Sequence, residues 1–188
     1  MDRRILRTRA QLKSALTALL AEKDIQEITV SELADKVDIS RGTFYLHYKN
    51  VFDMLRKIEE EMLDGLREAI SVAPKNASEN PFWRLHPTYE FFTKHGAITS
   101  VLMGPHGDPS FMKRVQAVLL EDCRKDYAKA FPTGNEQDYE YLFSFLLGGS
   151  LYMLEVWLRT GQKESPDLMA ERTNRVVLNG IGAMFPRK

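Results

Sequence analysis

Between Ile28 and Tyr48 the chain carries two helix starts back to back, a pattern few folds can accommodate. Thr29 is a capping residue with Glu32 three positions on, the spacing of a capping box, and Ile28 and Leu33 stand in the positions of a hydrophobic staple. Ser40 repeats the device, with Ile39 and Phe44 in the same relation around it. Only Val37, Asp38 and Ile39 separate the two helices, which leaves room for a tight turn and nothing else. Two short helices joined this way form a helix-turn-helix, whose second helix is shaped to enter a DNA major groove.

Upstream, from Arg3 to Lys23, Leu12, Leu16, Leu19 and Leu20 recur at helical spacing with Ala15 and Ala18 beside them. This helix has one buried face and serves as the floor for the two short ones. The chain has 26 basic and 26 acidic residues and no net charge, so any attraction to a polyanion must be local. Arg3, Arg4, Arg7, Arg9 and Lys13 crowd the N-terminus against the single acid Asp2, which reads as a phosphate-facing arm; the competing explanation is a solvated basic helix face.

Downstream, Asn50 caps a helix with Asp53 at its third position, and Phe52, Leu55, Ile58, Met62, Leu66 and Ile70 continue at helical spacing. Pro74, Asn76, Ser78, Asn80 and Pro81 make the stretch Ser71 to Pro81 the clearest break in composition. Helices are predicted at about Thr88 to Lys94, Ala97 to Met103, Ser110 to Phe131, Glu136 to Thr160 and Asp167 to Met184. No segment alternates with period two, so the predicted class is all-α: an N-terminal three-helix helix-turn-helix domain over residues 1–50 and a C-terminal helical domain for ligand binding and dimerisation over 51–188. A hydrophobic content of 44% is ample for a core.

The helix Glu136 to Thr160 is apolar around almost its whole circumference, and Gly148, Gly149 and Ser150 remove bulk at its middle. It needs a second burying surface, which a homodimer built from this helix and Asp167 to Met184 supplies; complete burial in a monomer is the alternative. The stretch Leu142 to Leu158, interrupted by Ser144, Ser150 and Glu155, is expected to fall short of a membrane span. The lone Cys123 excludes an intrachain disulfide or a Cys-rich zinc site, and the basic N-terminus has no apolar core behind it. A soluble cytoplasmic protein with no membrane partner is expected.

The segment Arg3 to Leu55 resembles the DNA-binding domain of TetR-type transcriptional regulators, carried most specifically by Thr43-Phe44-Tyr45-Leu46-His47-Tyr48-Lys49-Asn50. Gly107-Asp108-Pro109-Ser110-Phe111, Glu155-Val156-Trp157-Leu158 and Glu164-Ser165-Pro166 are similar to a C-terminal region found in one branch of that family. The resemblance implies that Arg41, Gly42 and Thr43 face base edges, with Arg41 reading guanine and Leu46 reaching a thymine methyl. It implies that Thr29, Tyr45, His47 and Lys49 hold phosphates. Phe44 and Tyr48 are assigned to the core. Two positions depart from the family pattern: Asp38 stands where Gly is usual, tolerable because Asp accepts a left-handed backbone, and Val51 replaces a phosphate-binding Lys.

His86, His95 and His106 are expected to lack the His or carboxylate partners that zinc requires, no catalytic constellation is legible, and neither metal nor cofactor is expected. Met62, Leu66, Phe91 and Tyr152 are candidate lining for an apolar small-molecule effector. The sequence thus predicts a ligand-responsive regulator, a repressor, that binds a palindromic double-stranded DNA operator as a homodimer and is not an enzyme. The rival is a coactivator or adaptor with the same fold that acts through a partner protein.

Overall fold

The computed structural model of the chain describes residues 3–72, 83–130 and 136–184, and among them there are helices and turns but no strand. The elements are α1 (Arg3–Leu20), a 3-10 turn (Ile25–Glu27), α2 (Val30–Lys36), α3 (Arg41–Tyr45), α4 (Val51–Ser71), α5 (Leu85–Lys94), α6 (Gly96–Leu102), α7 (Pro109–Ala130), α8 (Glu136–Arg159) and α9 (Pro166–Met184). Most of the predicted linker Ser71 to Pro81, the turn Pro132 to Gly134, and the side chains of Cys123 and Phe143 lie outside the described residues.

The helix starts follow from local chemistry. Thr29 Oγ1 accepts from the Glu32 amide at 3.2 Å, Ser40 Oγ from the Thr43 amide at 3.1 Å and Asn50 Oδ1 from the Asp53 amide at 2.8 Å. The expected capping box at Thr29 is only half built. Glu32 turns its carboxylate to Lys23 Nζ at 2.7 Å, because a charged donor outcompetes a backbone amide, and Lys23 holds the Glu32 carboxyl below its ordinary value. Asp38 adopts φ 55°, the left-handed turn expected of it, and the following Ile39 amide reaches the Ala34 carbonyl at 3.0 Å. Helix α5 starts one turn earlier than predicted, at Leu85, because Pro87 falls in the first turn, where no amide donor is needed. The same tolerance puts Pro109 and Pro166 at the first positions of α7 and α9.

Residues 1–62 and 97–111 form one compact unit, and residues 63–96 and 112–188 form another. The division falls inside α4 rather than before it, and Ala97 to Phe111 joins the first unit. That unit buries Leu12, Leu16 and Leu20 of α1, Leu33 of α2, Phe44 of α3, Met54 and Ile58 of α4, and Leu102 and Phe111.

In the second unit α5 packs on α9, where the buried Tyr89 hydroxyl pairs with Thr173 Oγ1 at 2.8 Å and the Tyr89 ring meets Trp157 edge-on. Burial raises the Tyr89 pKa, opposed by the Thr173 bond. Helix α8 is two-sided. Leu142, Leu146, Leu151, Leu154, Trp157 and Leu158 are buried, while Tyr141, Phe145 and Tyr152 are exposed. Contrary to the expectation from sequence, Glu140–Arg159 is long and apolar enough by length and composition to cross a membrane. Here its apolar residues are divided between the packed side and an exposed stripe.

Phe44 is fully buried, and it is the only side chain of α3 that is. Phe44→Ala should lower stability by about 3–5 kcal/mol in urea denaturation, and a loss under about 1 kcal/mol would contradict its anchoring role.

Candidate nucleic-acid interface

Burying Phe44 turns the rest of α3 outward. Arg41, Gly42, Tyr45 and Leu46 are exposed, Leu46 at 82% of its surface, and Thr43 and His47 are half-buried. Thr29 and Lys49 are exposed at the start of α2 and after α3. All eight residues predicted from sequence therefore present surface within one continuous segment, and Phe44 and Tyr48 are core, as expected. Thr29 Oγ1 accepts the Glu32 amide and keeps its own proton for an external acceptor. Thr43 Oγ1 shares a 2.9 Å hydrogen bond with Ser40 Oγ. The Arg41 guanidinium donates through Nη2 to Ser31 Oγ of α2 at 2.7 Å.

The junction of α3 and α4 is clasped by a buried carboxylate. Asp53 Oδ2 accepts the Lys49 amide at 3.0 Å and Lys57 Nζ at 3.1 Å, and Oδ1 accepts Arg56 Nη2 at 3.0 Å. The Lys49 amide, foremost, holds the Asp53 carboxyl down at about 2; burial opposes it, and Arg56 and Lys57 assist. Lys57 also donates to the His47 carbonyl at 3.2 Å and lies 5.4 Å from the Tyr48 ring centroid. Val51, where the family pattern has Lys, is buried in the core. Arg56 and Lys57, the cations nearest that position on α4, are thus engaged by Asp53, whereas Lys49 makes no ion pair among the described residues.

At the N-terminus Arg3, Arg4 and Arg7 are exposed in α1, whose first turn carries no acid. Arg9 is drawn inward, to Glu61 at 2.8 Å and the Tyr48 hydroxyl at 3.4 Å; the Tyr48 bond chiefly raises its pKa. It drops out of the basic arm.

The candidate effector residues divide. Met62 is buried at the end of the first unit, and Leu66 and Phe91 are buried in the second, where a Cβ added at Gly65 would lie 2.9 Å from the Phe91 ring. Tyr152 departs from the cavity expectation: it stands 61% exposed on α8, one face with Phe145 at 72%. Contrary to the expectation, His86 and His106 have carboxylate partners. His86 lies 3.6 Å from Glu90, one turn on, and 2.6 Å from Asp167; His106 lies 2.5 Å from Asp24. Among the described residues no group of three His, Cys, Asp or Glu side chains is placed to hold a metal ion. Sequence reading missed Ser31 and Lys57, whose roles rest on partners ten residues away.

Residues 13–57 match the family described as bacterial regulatory proteins, tetR family, and residues 79–179 match the one described as transcriptional regulator C-terminal region. The uncharacterized HTH-type transcriptional regulator YxbF of Bacillus subtilis (strain 168) is 32% identical over 178 residues, covering 89% of this chain and 44% of that protein. The chain thus spans less than half the length of this relative. A TetR transcriptional regulator from Streptococcus agalactiae 2603V has a similar structure, with a TM-score of 0.64 at 24% identity, covering 94% of this chain and 96% of that one. FadR from Bacillus subtilis in complex with stearoyl-CoA matches with a TM-score of 0.64 at 17% identity, covering 91% and 98%. These two likenesses concern the fold.

The Asp53 clasp has a signature in acid. Its carboxyl is depressed from 3.8 to about 2, so its contribution is complete above about pH 4 and lost as pH falls toward 2. The stability difference between wild type and Asp53→Asn, measured by urea denaturation, should be constant from pH 5 to 7 and shrink on acidification to pH 2. A difference independent of pH would contradict the clasp.

Proposed function

The chain belongs to the TetR family of bacterial regulatory proteins, and from that premise we propose that it is a ligand-responsive transcriptional repressor, binding a palindromic operator as a homodimer. The observation that carries this reading is the outward presentation of Arg41, Gly42, Tyr45 and Leu46 on a helix anchored by the buried Phe44. Arg41 reads a guanine through O6 and N7, Leu46 packs on a thymine methyl, and Gly42 and Thr43 allow the helix close to the base edges. Thr29, Tyr45, His47 and Lys49 hold phosphates and so set orientation. Exposed Arg3 and Arg7 add backbone attraction, taking over from the Lys absent at Val51. The protein acts in the cytoplasm, with no membrane, cofactor or catalytic step.

The dimer is built from α8 and α9. Tyr141, Phe145 and Tyr152 recur on one side of α8, with Gly148 and Gly149 between them; a Cβ built at either glycine meets nothing within 4 Å. A stripe of aromatic ends around a bare backbone suits the same stripe on a second copy, related by a two-fold axis. On α9, exposed Leu168, Val176 and Leu178 extend the apolar area. Tyr152 is thereby reassigned from cavity to interface.

The effector is an apolar small molecule, with the buried Leu66 and Phe91 as its candidate lining. Helix α4 runs without interruption from the first unit into the second, so a ligand that moves its second half changes the reading head at its first. Ligand and DNA then oppose each other by a reciprocal coupling of about 1–3 kcal/mol.

Mobility shifts with duplexes flanking the protein's own gene test the reading. Arg41→Ala should relax discrimination between sequences, and Lys49→Ala should weaken all duplexes alike, lowering the salt slope by about 1. No shift at low salt with any genomic fragment, or binding indifferent to salt, would favour the protein-binding adaptor instead. For the dimer, sedimentation at micromolar concentration should find wild type paired and Phe145→Asp monomeric; a monomeric wild type would refute the interface.

A further inference from the structure

Arg41 opens α3, yet its guanidinium is held from α2: Nη2 donates to Ser31 Oγ at 2.7 Å, and Ser31 Oγ donates in turn to Asp35 Oδ2 at 3.4 Å. A serine hydroxyl has one proton, and with that proton directed at Asp35 it faces Arg41 with lone pairs alone. The relay therefore has a direction, from guanidinium to hydroxyl to carboxylate. Arg41 makes no ion pair among the described residues, so the hydroxyl spaces it from Asp35 and its charge is not neutralised. One of its five N–H groups is occupied and four remain, enough for the two-pronged contact with guanine O6 and N7.

We propose that Ser31 is a specificity-determining positioning residue, which fixes the approach of Arg41 so that it addresses one base and not merely the nearest phosphate. The proposal rests on the DNA-reading function put forward above. An unrestrained arginine has many rotamers of similar energy and meets phosphates first, because they are the nearest anions. Tethering one edge of the guanidinium removes most of that freedom before DNA arrives, and the loss on reading is correspondingly smaller. Val30 and Glu32 flank Ser31 in α2, and neither hydrogen-bonds Arg41.

The test starts by selecting duplexes from a random-sequence DNA library with the full wild-type chain and finding the guanine whose preference Arg41→Ala abolishes. Ser31→Ala should reduce discrimination at that guanine about five- to tenfold, within the net worth of a typical hydrogen bond, and leave affinity for an unrelated duplex unchanged. Ser31→Thr, which keeps the hydroxyl, should restore it, and in the Arg41→Ala background Ser31→Ala should change nothing. Full discrimination by Ser31→Ala, an equal loss on all duplexes, or a loss that persists without Arg41 would overturn the proposal while leaving DNA reading intact. A wild-type chain that enriches no sequence would instead overturn DNA reading itself, and the Ser31 role with it.

Discussion

Helix α3 has five residues, too few to be helical on its own in water. Its conformation is supplied from outside: Ser40 caps one end, the Asp53 clasp holds the chain that leaves the other, and Phe44 nails the middle into the core. The same burial decides which residues are left to face outward. With Phe44 inward, Arg41, Tyr45 and Leu46 are exposed, so fold stability and the make-up of the exposed face are set by one side chain. The turn before it is equally constrained, since Asp38 must take a left-handed backbone for α3 to leave α2 at the right place.

Charge is spent unevenly along the first unit. The chain is neutral overall, and several cations that would face a polyanion are consumed internally: Arg9 by Glu61, Lys23 by Glu32, and Arg56 and Lys57 by Asp53. These pairs order the unit around α3. Under the proposed function, attraction to DNA is assigned to the exposed Arg3 and Arg7, to Arg41, and to Lys49.

The parts legible in sequence were those whose causes are close in the chain. Hydroxyl caps at Thr29 and Ser40, the Asn50 cap and the left-handed Asp38 each depend on residues close by in the chain, and all are found. The core positions of Phe44 and Tyr48 follow from their place beside the turn of a small domain, where an aromatic packs more often than it contacts a ligand. What sequence could not supply were side-chain partners far along the chain, such as Glu32 with Lys23, Asp24 with His106 and Arg41 with Ser31. Nor could periodicity orient α8, because a helix apolar on every side offers no contrast; Tyr152 was therefore assigned inward and is found outward. The attachment of Ala97 to Phe111 to the first unit is long-range packing, invisible to any local pattern.

In the proposed function α3 is a groove-reading element presented twice by a symmetric pair of chains. Hydroxyl-radical footprinting of the wild-type chain on a selected duplex examines both halves of that claim at once. Two protected patches are expected, related by two-fold symmetry, on one face of the duplex and separated by about 34–36 Å or a multiple of it. A single patch, or protection with no symmetric mate, would contradict that reading.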